Sequence, residues 1–232
     1  RLATRVIVQT RKQEKLLAER WGREGVLVAS ACALPADPLP PASARQEVLW
    51  VGNMLPKKRP QLMAELSSML PEVSFTMIVP PLGDSDYVRE VLAALEKASN
   101  LHRLGRVPYI DMPGHYRKAA LVVSTSSAEG FANVFLEAWA SRTPVISYGI
   151  DPDGVIERHG LGVCTDSLEE TAAAIRRLLP DAPAREAMGE RARAYVEANH
   201  SPEVVAARYE ELLGSFPGIS RRASAGGESQ SP

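Results

Sequence analysis

The 232-residue chain sets 27 basic against 28 acidic residues, with a mean hydropathy of −0.14. This even charge excludes a general nucleic-acid binder, which carries a basic excess, and the absence of any 18-residue apolar run excludes a membrane-spanning helix. An apolar share of 45% supports a buried core without staples, and 16 glycines and 18 prolines are too few for a low-complexity chain. No basic start followed by an apolar stretch marks a signal peptide. Cys32 and Cys164 stand far apart, forming neither a disulfide framework nor a metal clip, which suits a reducing cytoplasm. The chain opens on Arg1, with a strand at 5–10 and no preceding cap or loop. The expectation is a C-terminal part of something longer.

Val6-Ile7-Val8 is a short β-branched strand, and 12–21 shows helical spacing closed by Gly22. A second short strand follows at 26–28. Four prolines in the seven residues 35–41 deny the segment the amide donors of a central strand, so 34–46 reads as a linker. From Glu47 onward strands and helices alternate. Strands are expected at 48–51, 74–79, 100–107, 121–123, 144–148 and 161–164. Helices are expected at 60–70, 84–98, 112–120, 131–141, 168–179, 183–199 and 202–213. The nearly continuous apolar run Val48-Leu49-Trp50-Val51 suits a strand covered on both faces. Such alternation means right-handed βαβ units and a Rossmann-like, doubly wound parallel α/β sheet. The tail 214–232 has no periodicity and reads as disordered.

Several motifs are missing. His102, His115, His159 and His200 show no metal-ligand spacing and read as surface or capping residues. There is no G-x-S-x-G elbow. Gly52 is followed by Lys57 and Lys58, but the second glycine of a phosphate-binding P-loop is absent. Gly160-Leu161-Gly162 lacks the third glycine of a dinucleotide fingerprint.

Two loops carry chemistry. The first runs Gly52-Asn53-Met54-Leu55-Pro56-Lys57-Lys58-Arg59-Pro60, beyond the carboxyl end of a strand, where ligands bind in parallel sheets. Gly52 would permit close backbone approach, Asn53 is a polar donor at the strand tip, and Lys58 lies near the next helix start. Together they could hold a diphosphate. A solvated basic turn explains this loop equally well. The second loop runs from Ser124 through Glu129-Gly130-Phe131-Ala132-Asn133 to Glu137, where a helix start offers free amides to an anion. Gly130 allows a tight turn, and Asn133 adds a donor. On a continuous helix, eight residues separate two side chains by roughly 12 Å and about 80°. Glu129 and Glu137 therefore cannot share one metal ion. They can grip the two ends of an extended ligand, and carboxylates accept hydrogen bonds from vicinal sugar hydroxyls. The alternative is a dipole partner at Glu129 and a solvated Glu137. Yet Glu137 is surrounded by Leu136 and Ala138-Trp139-Ala140, and a charge there needs a partner.

These residues resemble the donor-binding half of GT-B glycosyltransferases, specifically glycosyltransferase family 4. The likeness rests on Glu129-x7-Glu137 within Thr125-Ser126-Ser127-Ala128-Glu129-Gly130-Phe131, followed by Pro144-Val145-Ile146-Ser147. It extends to Trp50-Val51-Gly52-Asn53 with Lys58-Arg59-Pro60, to Asp151-Pro152-Asp153-Gly154, and to the closing helices, covering roughly 6–213. The resemblance implies retaining transfer of a sugar from a UDP- or GDP-type nucleoside-diphosphate sugar, with no cofactor and no obligatory metal. Lys58 then matches the lysine that neutralises the leaving diphosphate, Glu129 the glutamate near the transferred sugar, and Glu137 the ribose contact. Gly52, Asn53, Gly130, Phe131, Ala132 and Asn133 line the donor site, and backbone near Arg106 and Val107 meets the base. Asn53 stands where the family often has arginine, which leaves Lys58, Arg59 and the helix dipole to offset the leaving-group charge, with Arg59, Lys57 or a residue of the missing half as the compensating cation.

The resemblance also implies a domain plan. Residues 1–33 would be a remnant of the acceptor domain, 34–46 the linker, 47–200 the donor domain, and 201–213 a helix crossing back. A glycan or lipid-linked acceptor would enter through the missing N-terminal domain, and the isolated fragment would be poorly active. The expected location is cytoplasmic, with peripheral contact at the inner face of a membrane. A nucleotide-sugar epimerase of GT-B fold and a non-catalytic nucleotide-sugar-binding module are the alternative functions.

Overall fold

Parallel strands need crossover helices, and the sequence supplies them in turn. The computed structural model describes residues 5–36, 38–80, 83 and 85–215. The first part pairs β1 (Val6–Val8) with β2 (Gly25–Leu27) in parallel, joined by α1 (Arg11–Trp21). Helix α1 starts where the Thr10 side chain accepts from the Gln13 amide at 3.1 Å and stops at Gly22, whose φ of 58° places it in the left-handed region.

The larger part has six parallel strands. They are β3 (Glu47–Val51), β4 (Phe75–Ile78), β5 (Leu101–Leu104), β6 (Ala119–Ser124), β7 (Val145–Tyr148) and β8 (Gly162–Thr165). Their order across the sheet is β5-β4-β3-β6-β7-β8. The chain therefore winds one way from β3 and then returns to start the other way at β6. Its helices are α2 (Leu62–Met69), α3 (Asp86–Leu95), α4 (Met112–Lys118), α5 (Asn133–Ala140), α6 (Val155–His159), α7 (Leu168–Leu178), α8 (Ala182–His200) and α9 (Pro202–Gly214).

Alternate strand residues face opposite layers. Val48, Trp50, Phe75, Met77, Leu121 and Val123 pack with α2, α3 and α7, whereas Leu49, Ile78, Val122 and Val145 pack with α4, α5, α6 and α8. The sheet is covered on both faces, as its continuous apolar runs require.

The expected doubly wound α/β sheet is thus present, with shifts at the element ends. Phe131 and Ala132 lie in the loop before α5. Ala119 and Ala120 belong to β6 rather than to the preceding helix. The third strand of this sheet is confined to Leu101–Leu104, because Gly105 and Pro108 leave the ladder. Helix α6 falls where no helix is expected. The tail reading falls mainly on 216–232, outside the described residues, and Gly214 closes α9.

Candidate functional site

The strand order reverses between β3 and β6, and in open parallel sheets the carboxyl ends of the strands at such a reversal are where ligands bind. Both loops singled out by sequence emerge at this point. They are tied together. Ser127 donates its amide to the Lys57 carbonyl at 2.7 Å. The Thr125 hydroxyl donates to the Lys58 carbonyl at 2.7 Å and accepts from the Trp50 indole at 3.0 Å. Arg59 donates to the carbonyls of Thr125, Ser126 and Tyr148 at 2.5, 3.1 and 3.2 Å, and its guanidinium lies 4.4 Å from the centre of the Tyr148 ring.

Arg59 holds loop backbone through neutral carbonyls, which leave its positive charge in place beside the loop. Gly52 has a second reason to be glycine, since a Cβ there would fall 2.7 Å from the Trp50 ring. Asn53 keeps its side-chain oxygen buried and without a hydrogen-bond partner, a polar atom still to be satisfied.

Lys58 ends a one-turn 3-10 helix, Pro56–Lys58, and its ammonium pairs with the Glu129 carboxylate. The two side chains are only 17% and 11% exposed, so each charge is largely withdrawn from water and balanced by the other. Gly130 lies against α1: an added Cβ would meet the Gln13 side-chain amide at 2.6 Å. Phe131 and Ala132 are buried, Asn133 is exposed, and Ala132, the residue before α5, offers no side-chain cap. The Phe135 amide bonds the Ala132 carbonyl at 2.9 Å, which leaves the amides of Asn133 and Val134 for an anion.

Glu137 sits one turn into α5, half-buried, and accepts a 2.7 Å hydrogen bond from the buried Tyr116 phenol. It lines an apolar cavity of about 200 Å³ with Cys32, Tyr109, Met112, Tyr116 and Ser141. Burial holds the Glu137 carboxyl above its ordinary range, partly opposed by the Tyr116 hydrogen bond. Burial first, and the Glu137 charge second, push the Cys32 thiol up to about 11 and the Tyr116 phenol well above its usual value. Val107 packs beside this cluster, while Arg106 is exposed. Among the described residues no three His, Cys, Asp or Glu side chains gather as a metal site.

The raised carboxyl carries a consequence for stability. Between its ordinary and raised values the folded state binds more protons than the unfolded one, so stability falls as pH rises through that window. Glu137→Gln removes this cost. Without nucleotide, the variant should melt above the wild type at pH 7, with the gap closing below about pH 4. Melts at the two pH values check this, and a gap independent of pH contradicts it.

Comparison with known proteins decides the family. The family described as "Glycosyl transferases group 1" matches residues 37–195. The chain belongs to this glycosyltransferase family. A D-inositol 3-phosphate glycosyltransferase of Kineococcus radiotolerans is 32% identical over 175 residues, covering 66% of this chain and 40% of that protein. A GDP-mannose-dependent mannosyltransferase of Corynebacterium glutamicum, acting on a monoacylated phosphatidylinositol monomannoside, is 32% identical over 133 residues, covering 53% and 35%. This glycosyltransferase chain spans half or less of the length of the curated relatives it matches. Among solved structures, Anabaena HepE with UDP-glucose superposes with a TM-score of 0.79 at 19% identity, covering 93% of this chain and 65% of that one. Staphylococcus aureus TarM, with UDP bound, gives 0.77 at 21% identity, covering 90% and 43%. These likenesses confirm the GT-B fold.

The site of this family member also contains residues that spacing does not reveal. Tyr116, Thr125 and Arg59 bind partners 21 to 89 positions away. The one local signal is the isolated charge of Glu137 on an apolar helix, which demands a partner such as Tyr116.

Proposed function

We propose that this chain is the donor-binding half of a retaining, family 4 glycosyltransferase, moving a sugar from a UDP- or GDP-type nucleoside-diphosphate sugar to a glycan or lipid-linked acceptor. One observation carries the reading: two glutamates bracket an uncapped helix start at the switch point, one paired with Lys58 and the other with Tyr116. The free amides and Lys58 suit a diphosphate. Glu129 suits the transferred sugar. Glu137, with a second oxygen beyond its Tyr116 bond, suits the ribose hydroxyls. Val107 and Arg106 stand where the base would lie, and Gly52 and Asn53 border the diphosphate. HepE and TarM, bound to UDP-glucose and UDP, support a nucleotide-sugar donor.

In the reaction, the bond from the sugar's anomeric carbon to the diphosphate breaks, and its electron pair leaves with the nucleoside diphosphate. An acceptor hydroxyl oxygen bonds the same carbon on the same face and gives its proton to the departing diphosphate oxygen. Lys58 and the α5 amides stabilise the charge that develops on the departing diphosphate, and no metal is required. In this reading residues 1–33 belong to the acceptor side, 34–46 link, 47–200 bind donor, and 201–213 cross back, so the chain alone transfers poorly. No described helix is long and apolar enough to cross a membrane. The proposed location is the cytoplasm, with contact at the inner membrane face.

The test incubates the complete enzyme with UDP- and GDP-sugars, with and without EDTA, and reads products by NMR. Acceptor-dependent release of nucleoside diphosphate, with the donor's anomeric configuration kept, is expected in both conditions. Inversion, loss of activity in EDTA, or interconversion of the donor sugar without acceptor would contradict the reading, and the last would indicate an epimerase.

A further inference from the structure

We infer that Asp153 is a positioning residue: its carboxylate latches the first turn of α1 onto the donor domain and so builds one wall of the space that Glu129 faces. The inference rests on the donor reading above. Asp153 lies in the loop after β7, in a one-turn 3-10 helix, Pro152–Gly154, with a φ of 53°. Aspartate is among the few non-glycine residues that enter the left-handed region readily. The two carboxylate oxygens of Asp153 accept the backbone amides of Arg11 at 2.8 Å and Lys12 at 3.4 Å, across more than 140 positions of sequence. Arg158 donates to its carbonyl at 2.7 Å. These amides are among the unpaired donors of a helix start, and the carboxylate also meets the positive end of the α1 dipole. Thr10 already caps Gln13, so Asp153 satisfies the amides that Thr10 leaves.

The latch has a geometric effect at the site. It sets α1 so that Gln13 lies against Gly130, the residue after Glu129. Gln13 is itself fixed, accepting from the Gln9 amide at 2.7 Å. Between the two sides lies a polar cavity of about 170 Å³, lined by Thr10, Lys12, Ser127, Glu129, Gly130 and Asp153. It is lined by Glu129, the residue that the donor reading places at the sugar. The nucleoside end, at Glu137 and Tyr116, is lined by other residues. Asp153 therefore acts on how the sugar is held, through α1, and not on how the nucleoside is held.

The experiment compares wild type, Asp153→Ala and Asp153→Asn in three measurements: amide hydrogen exchange, affinity for UDP, and affinity for UDP-glucose. In Asp153→Ala, exchange at Arg11 and Lys12 should rise at least tenfold. UDP affinity should stay within twofold, and UDP-glucose affinity should fall fivefold or more. Asp153→Asn, which keeps an acceptor oxygen, should recover most of both effects. A purely structural role would weaken both ligands together. Unchanged exchange at Arg11 and Lys12 overturns the latch. Faster exchange with an unchanged ratio of the two affinities overturns the positioning role. A folded wild type that binds neither ligand strikes the UDP-type donor reading and the positioning role with it, while exchange still decides the latch.

Discussion

Lys58→Ala in the complete enzyme should lower turnover roughly 10²–10³-fold, the range seen when one preorganised charge-stabilising donor is removed, and weaken nucleotide binding by less than tenfold. The reason lies in how Lys58 is held. Its carbonyl is pinned by Thr125, so the loop backbone keeps its place when the side chain is removed. Its ammonium is largely withdrawn from water and held by Glu129 until an anion arrives. A charge shielded in this way acts more strongly on a developing diphosphate than a solvated one. The substitution also leaves Glu129 without its cation, so Lys58→Arg serves as the control that retains the pair. Steady-state kinetics on the three proteins check this. Turnover within threefold of wild type in Lys58→Ala would remove Lys58 from the chemistry.

Arg59→Ala should cost about 3 kcal/mol of stability, more than neighbouring loop substitutions and through a different route. Arg59 itself has a φ of 50° and bridges three carbonyls, two from the loop after β6 and one from the end of β7. Hydrogen bonds from a charged donor contribute about 1.5–3 kcal/mol each, and the half-buried position lowers the sum. Without the guanidinium, the loop at 125–132 keeps only the Thr125 and Ser127 bonds to the loop after β3, and the bridge from that loop to the end of β7 is lost. Urea unfolding measures the loss. A change under about 0.5 kcal/mol would show that Thr125 and Ser127 hold the loops without it. Lys58 and Arg59 are adjacent and both basic, yet one faces the proposed ligand and the other faces protein carbonyls.

That contrast shows where sequence reading reaches its limit. The sheet was legible because fully covered strands require unbroken apolar runs, and Val48-Leu49-Trp50-Val51 and Leu121-Val122-Val123 have no other economical use. The two loops were legible because parallel strands place ligands at their carboxyl ends. Helix α6 was not legible. It has five residues between Gly154 and Gly160, both with positive φ, which is too short for a helical period to show. Tyr116 was hidden for another reason: its helical position reads as core, and it is core, with only its hydroxyl reaching Glu137. Gly52 illustrates a shared cause, since the requirement for glycine includes the neighbouring Trp50 ring as well as access to the crevice. Contacts made across the sheet leave no spacing to read.

The central claim is that Glu137 and its surroundings form a nucleotide site. A thermal-shift panel with UDP, GDP, ADP and dTDP tests it most directly, each with and without magnesium, on wild type and Glu137→Ala. Nucleotide at about a hundred times its dissociation constant should add roughly 2.7 kcal/mol of stability. The expected result is a magnesium-independent shift with UDP or GDP that disappears in Glu137→Ala. A well-folded wild type that shifts with none of the four, or a shift that survives in Glu137→Ala, would contradict it.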